Sequence, residues 1–370
     1  MKLLTVRLHV LRLPLVSPFQ TSFSVQTDRE LILVEATADV AGTVVTGWGE
    51  CVAMRDPLYS SEYVAGALDV LRRYLVPHLQ QVEHLTAETV KHHLEPYVGH
   101  QMAKAALEMA VLDAQLRAAG VSLATYLGAV VDRVPSGVSV GIQPSIDRLL
   151  TVVGGYLDEG YRRIKLKIQP GWDVAPVAAV RRAHPDVALQ VDANAAYTLA
   201  DARHLRRLDD YDLLLIEQPL GEADLRQHSL LARQMVTPMC LDESIVSVEA
   251  AADAVAWGAA AVVNIKPGRV GGYLEARRIH DLCRANGLPV WCGGMLETGL
   301  GRAANVALAA LPGFTLPGDV SASDRFYAED ITEPFRLEDG YLRVPTGPGL
   351  GVEPDPDRVS AATTSTEVVG

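Results

Sequence analysis

Short apolar runs recur through the middle of the chain at nearly constant intervals, and each closes on an ionisable side chain. RIKLKI carries Lys167, ALQVDAN carries Asp192, LLLIEQPL carries Glu217, MCLDES carries Asp242 and VVNIKPG carries Lys266, in steps of 25, 25, 25 and 24 residues. A parallel strand returns to its neighbour only through a crossover of a dozen or more residues, usually a helix, so this period predicts successive strand–helix units. Apolar positions at helical spacing fall where the crossovers should be: VAPVAAVRRAH, LADARHLRRL, ADLRQHSLLARQ, SVEAAADAVAWG and YLEARRIHDLCRANG. Extending the period outward adds strands at 135–142 and 288–295 and a candidate eighth at 314–320. The expected fold is α/β: a modified TIM barrel of the (β/α)7β type over residues 129–320.

The chain on either side of the barrel has a different pattern. Val6, Leu8 and Val10 alternate within MKLLTVRLHVLRL, while Arg7, His9 and Arg12 interrupt any apolar stretch long enough for a signal peptide; a strand is predicted. With 30–39 and 43–51 it should form an antiparallel meander. SPFQTSFS, between the first two strands, reads as a loop that carries Phe19 and Phe23, either as a lid near the barrel mouth or with both rings packed into the meander's core. Helices at 60–76, 86–97 and 100–119 complete an α+β capping domain over 1–128. Beyond the barrel, FRLEDGYLRV predicts a hairpin turning at Asp339 and Gly340. The segment 321–370 is expected to return to the capping domain, so that both ends of the chain cover the mouth, and the small polar residues SAATTSTEVVG should fray.

Composition narrows the partners. A net charge of −12 lacks the basic face that nucleic acid or an anionic membrane requires. No run of 18 apolar residues exists to span a bilayer. Cysteines 51, 240, 283 and 292 show no paired spacing, which fits free thiols and a cytoplasmic location. Cys240, two residues before Asp242, should line the barrel. His92, His93 and His100 lie in a helical region without an HExxH arrangement and read as surface residues.

Charged residues at the carboxyl ends of barrel strands read as chemistry, because the active mouth forms there. Any one of the five alone would pass for a solvated strand end; five in phase, ordered lysine, acid, acid, acid, lysine, are hard to obtain by accident. Counting 135–142 as strand one puts Lys167 on strand two and Lys266 on strand six, facing each other across the mouth. Asp192, Glu217 and Asp242 then converge on strands three to five, an arrangement that needs a neutralising cation. An oxygen-only donor set selects a hard divalent ion, most simply Mg²⁺ or Mn²⁺. Such an ion stabilises the enediolate formed when the proton α to a carboxylate leaves. Lys165, on the same strand face as Lys167, would favour the neutral base by like charge. Lys266 could return the proton from the other side, giving racemisation, or stay a cation while a β-leaving group departs; both remain open. GLGRAA (299–304) fits the GxGxxA dinucleotide pattern but lacks its βαβ context. Gly293 and Gly294 read instead as space for the substrate, with a phosphate site as the other use barrels make of this position.

The strings KLKIQPGWD, QVDANAAYT, LLIEQPL, CLDESI, VNIKPGRVGG and WCGGMLETGLGRAANVALA together resemble the enolase superfamily, in its muconate-lactonising-like subgroup. The resemblance runs nearly end to end and is strongest to o-succinylbenzoate synthases that also act as N-acylamino acid racemases. It implies Asp192, Glu217 and Asp242 as metal ligands and Lys167 and Lys266 as the acid/base pair. It further implies that Lys165 and Asn194 hold the substrate carboxylate, and that Ser139, Phe19, Phe23, Met54, Gly294, Leu296 and Phe326 line the acyl or aryl side. The implied activities are a dehydration of menaquinone biosynthesis, racemisation of N-succinylamino acids, or both, in a homo-oligomer acting on a small carboxylate. A dipeptide epimerase or muconate-type cycloisomerase would share the first step. A catalytically silent binding protein should have lost a lysine or a ligand, and none is missing.

Overall fold

Three long strands open the computed structural model, which describes residues 1–370. They are β1 (Lys2–Gln20), β2 (Val25–Val40) and β3 (Thr43–Cys51), paired antiparallel in sequence order. Ala41 and Gly42, both at positive φ, make the two-residue turn between the second and third. The expected loop SPFQTSFS is strand in its first half: β1 loses register between Pro14 and Phe19, where Pro14 and Pro18 cannot donate to a ladder, and then Phe19 pairs with Gln26. Only residues 21–24 turn.

Helix Gln101–Ala119 lies directly on β3. A Cβ added to Gly47 or Gly49 would sit 2.1 and 2.0 Å from the carbonyl oxygens of Ala110 and Ala106, so only glycine permits this approach. The predicted first helix forms as Val64–Val70 and Val76–Gln80, joined through a π turn at Leu71–Leu75; the second is Ala87–Leu94.

The short strand β4 (Arg133–Pro135) precedes the barrel. Its strands are β5 (Gly137–Val140), β6 (Arg163–Lys167), β7 (Leu189–Asp192), β8 (Ile216–Glu217), β9 (Met239–Leu241), β10 (Val262–Ile265) and β11 (Val290–Cys292), each parallel to the next. The eighth stretch closes the circle without forming a regular strand, since Pro317 lacks an N–H and Gly318 a side chain. Gly137 N–H donates to Gly318 O, and Asp319 N–H to Cys292 O, both at 2.8 Å. Leu215, Cys240, Val262 and Trp291 form a separate small apolar cluster, with Cys240 buried where strand alternation puts it.

Four of the five expected crossover helices are regular. Ser247, for example, caps Val248–Trp257 by accepting from Ala250 N–H, and Gly258 ends it in the left-handed region. The LADARHLRRL segment departs from expectation: only Ala202–Leu205 is α-helical, between 3₁₀ turns at Leu199–Asp201 and Arg206–Tyr211. Asp209 turns its carboxylate outward to accept from Thr237 N–H at 2.8 Å, and the chain leaves through Asp212 at a φ of 47°.

The C-terminal segment takes a longer path than expected. Asp339 and Gly340 do form the turn, at φ 50° and 82°, but the strand that follows, β12 (Tyr341–Arg343), pairs with β4 at the foot of the barrel. There the Tyr341 ring lies against the guanidinium groups of Arg133 and Arg162. Residues 321–327 are the part that reaches the mouth. The tail expected to fray is β13 (Thr363–Val369), which extends the meander to the order β13-β1-β2-β3. Its threonines and valines are β-branched and suit a strand, and its polarity reflects an edge position open to water. No helix is long and apolar enough to cross a membrane, and all four cysteines are free and buried.

Candidate active site

Register sets the height of each functional side chain. Lys167, Asp192 and Glu217 stand side by side on β6, β7 and β8, and Glu217 pairs with Cys240 on β9. Asp242 and Lys266 follow the last residues of β9 and β10. Lys165, Lys167, Asp192, Glu217, Asp242 and Lys266 are all buried. Four non-glycine residues at these strand ends, Asn194, Ala195, Gln218 and Leu296, have φ between 37° and 60°. Such backbone costs about 1–3 kcal/mol per residue and survives where surrounding contacts hold it. Gln218 shows how: its Oε1 accepts from the N–H groups of Asp242 and Ser244, and its Nε2 donates to Ser244 Oγ, tying β8 to β9.

The acids meet cations throughout. Lys167 Nζ lies 2.6 Å from Asp192 and 2.7 Å from Asn194 Oδ1. Lys165 Nζ lies 3.0 Å from Glu217, 3.3 Å from Asp192 and 2.6 Å from Asp319. Lys266 Nζ donates to Asp242 at 2.8 Å and to the Tyr59 hydroxyl at 3.1 Å. Arg269 bonds the other oxygen of Asp242. Five carboxylates, Asp192, Glu217, Asp242, Glu243 and Asp319, stand among Arg163, Lys165, Lys167, Lys266 and Arg269. Each ligand-type carboxylate faces an ammonium or guanidinium, and no trio of acidic side chains is gathered into a cage.

Proton affinities follow these pairings. Burial opposes the charge of Asp192, but the Lys167 and Lys165 ammoniums overcome it and hold the carboxyl below its usual range. Asp319 is likewise held low by Lys165 and Arg163 against burial. Burial and the neighbouring Asp192 charge push Glu217 up and Glu243 up to about 7. For Lys165, burial is outweighed by Asp319, Glu217 and Asp192, and its ammonium is held above its ordinary value. Lys266 is raised in the same way, against burial, by Tyr59, Glu243 and Glu217.

The donor set fits a hard divalent ion. Asp192 and Glu217 are adjacent across a strand pair, Asp242 follows the next strand, all three are buried, and none of the candidate donors is nitrogen or sulfur. Lys165, Lys167, Lys266, Ser139, Phe19, Gly294, Leu296 and Phe326 line one cavity of about 50 Å³. Gly293 gives Lys266 its room: a Cβ there would lie 2.8 Å from Lys266 Cε and 2.2 Å from Asn264 Oδ1. Asn194 lies beside this cavity, bonded to Lys167 and Glu243. Phe23 packs instead against Tyr59, and Met54 lines a separate surface pocket with Gln26. The helix that opens at GLGRAA has no vacant anion site, because Asp330 accepts from Gly299 N–H and Glu50 from Gly301 N–H.

Five participants lie outside the predicted set: Asp319, Glu243, Arg269, Asn264 and Tyr59. Asn264 Nδ2 donates to Glu217 at 2.7 Å. The signal for Asp319 was its place at the end of the irregular eighth stretch. Arg269 arrives on an unexpected single-turn helix, Pro267–Val270, directly after Lys266.

Comparison with known proteins matches this geometry. Residues 4–128 match the mandelate racemase / muconate lactonizing enzyme N-terminal domain, and residues 149–358 the enolase C-terminal domain-like family. The chain is 64% identical to an N-succinylamino acid racemase of Amycolatopsis sp, over 100% of both chains. It is 45% identical to an o-succinylbenzoate synthase of Bacillus subtilis, over 98% of this chain and 97% of that one. A crystal structure of an enolase-superfamily member from Listeria innocua superposes with a TM-score of 0.95 at 41% identity, covering 100% of this chain and 99% of the other. With the barrel, the antiparallel cap and both domain matches in agreement, this chain is an enzyme of the enolase superfamily, of the mandelate racemase and muconate lactonizing type.

Proposed function

We propose that the protein removes the proton α to a substrate carboxylate with a lysine and acts on succinylated substrates. It racemises N-succinylamino acids, or dehydrates the cyclohexadiene precursor of o-succinylbenzoate, or does both. The observation that carries this reading is the pair Lys167 and Lys266: they stand at the ends of β6 and β10, with three strands between them in the order of the barrel, yet line one cavity. The names of the relatives at 64% and 45% identity support the substrate class.

Asp192, Glu217 and Asp242 would hold a divalent ion, Mg²⁺ or Mn²⁺, which when bound supplies the positive charge that stabilises an enediolate. Lys165 and Asn194 hold the substrate carboxylate. Lys167, as the neutral amine, takes the α-proton and becomes an ammonium. In racemisation Lys266 begins as an ammonium and gives its proton to the opposite face, so the two lysines exchange states and the site is ready for the other enantiomer. In dehydration the Lys167 ammonium gives that proton to the departing β-hydroxyl, so that water leaves and Lys167 is neutral again, while Lys266 stays charged beside the intermediate. The four buried free thiols support a cytoplasmic home.

The test is a side-by-side assay of succinylbenzoate formation and N-succinylamino acid racemisation. Lys167→Ala should abolish both. Lys266→Ala should still exchange the α-proton of one enantiomer with deuterated solvent while failing to racemise it. Unchanged turnover in both variants would overturn the two-lysine mechanism.

A further inference from the structure

A second cavity, of about 320 Å³, lies on the other side of Phe19 from the lysine cavity. Phe19 is common to the two linings. The partition is built by the end of β1: Ile142 N–H donates to Gln20 O at 3.0 Å, and a Cβ on Gly141 would come within 2.8 Å of that same carbonyl oxygen. At about 50 Å³ the lysine cavity accommodates only a few waters, each of which needs about 10–15 Å³ of such space, so a substrate body must extend beyond it.

The second cavity has an uneven charge. Arg148 and Arg325 line it with Gln143 and Tyr156, and no carboxylate does, in a chain whose net charge is −12. Arg325 is 9% exposed, and its Nε is buried with no hydrogen-bond partner. The one hydrogen bond its side chain makes runs from Nη2 to Ser139 O at 2.9 Å. Its guanidinium carbon lies 5.8 Å from the centroid of the Phe19 ring, 5.1 Å from Tyr156 and 4.8 Å from Phe326, a cation held by aromatic faces and lacking an anion. A buried guanidinium with an idle N–H is costly unless something completes it, and a carboxylate is its best-matched partner. Arg148, exposed at the rim, adds long-range attraction.

We infer that this cavity is an anion subsite, in which Arg325 and Arg148 bind a second carboxylate at the far end of the substrate's acyl arm, reached when Phe19 swings aside. The inference rests on the proposed chemistry for the α-carboxylate end and adds a requirement for a dianionic substrate. Ser139 and Arg325, joined by their hydrogen bond, then link the two ends of the binding site.

The experiment compares an N-succinylamino acid with its N-succinamoyl counterpart, in which a neutral amide replaces the distal carboxylate. Binding is measured by calorimetry and turnover by racemisation, in the parent enzyme and in Arg325→Met and Arg148→Ala. The parent should prefer the dianion by about tenfold or more in kcat/KM, expressed mainly in KM, and each variant should lose most of that preference. Arg148 is exposed, so its substitution tests the subsite even if Arg325→Met folds poorly. Equal affinity of the parent for the two compounds, or an undiminished preference in Arg148→Ala and folded Arg325→Met, would overturn the subsite. Selective dianion binding that the variants lose, without any turnover by the parent, would keep the subsite and refute the proposed reaction.

Discussion

Buried carboxylates occur in two regions of this molecule with opposite consequences. At the barrel mouth Asp192 and Asp319 face ammonium or guanidinium groups and are held as anions, below their usual range. At the seam between cap and barrel, Glu50 and Glu108 reach from the cap to the first turns of two barrel helices. Glu108 accepts from the N–H groups of Tyr273 and Leu274, both at 2.8 Å, and Glu50 from those of Thr298 and Gly301 at 3.0 and 2.9 Å. Backbone amides and a helix end offer only partial charge. Burial prevails there, and both glutamates are pushed up to about 7. Among these four acids the partner, more than the depth of burial, decides whether the carboxylate stays ionised; Glu217, beside both Lys165 and Asp192, is pushed up by burial and that second negative charge. The mouth sets Asp192 and Asp319 against full cations; the seam uses the same functional group to join cap and barrel through backbone amides.

The comparison can be broken in order of effect. Lys167→Ala should cost at least about a thousandfold in kcat while the seam still melts cooperatively near the parent temperature; a simultaneous collapse of the fold would show that the mouth is structural as well. Removing divalent ions with a chelator should abolish turnover, and Mg²⁺ or Mn²⁺ should restore it. Full activity in metal-free buffer would remove the ion from the mechanism. At the seam, Glu108→Ala should destabilise by about 1–3 kcal/mol in urea unfolding, because two helix N–H groups lose their acceptor, with little change in kcat of the folded enzyme.

The pH dependence separates the two seam glutamates from the two mouth aspartates by sign. Glu50 and Glu108 titrate near 4.5 when free and about 7 when folded, so the native state holds protons that the unfolded chain has released. Their contribution is full below the free value and is lost as pH rises through 7. Asp192 and Asp319 start from 3.8 and are lowered, so theirs is present above 3.8 and lost as pH falls below it. Stability measured by denaturant titration should therefore fall between about pH 5 and pH 7.5, and Glu108→Gln should flatten that slope. The smallest expected effect is that of Tyr59→Phe, which removes the hydroxyl that accepts from Lys266 and should lower kcat only severalfold, on the scale of one hydrogen bond to a charged group.

Much of the barrel was legible in the chain because the period of 25 residues is imposed by geometry: one strand, one covering helix, one return. The five charges at strand ends were legible for the same reason. Asp319 was harder to see because Pro317 and Gly318 erase the alternation that marks a strand. Glu243 follows Asp242 directly and should point away by strict alternation, but β9 has already ended at Leu241, and the turn brings its carboxylate to Asn194. Arg269 depends on a single helical turn too short to leave a periodic pattern. The terminal strand was misread because its alternation has no apolar face to display: at a sheet edge open to water, threonine serves on both sides. Met54 was placed by resemblance alone and Phe23 by its loop as well, and neither lines the lysine cavity.

The last strand also constrains how the molecule is made. His9 on β1 contacts Thr366 on β13 across 357 residues of chain, and the register from Val6 to Leu11 is matched by residues 363–369. During synthesis on the ribosome one border of β1 therefore stays unpaired until the rest of the chain has emerged. The cap can begin folding first but is completed last, and for that interval its open border is a site where another nascent chain could add a strand.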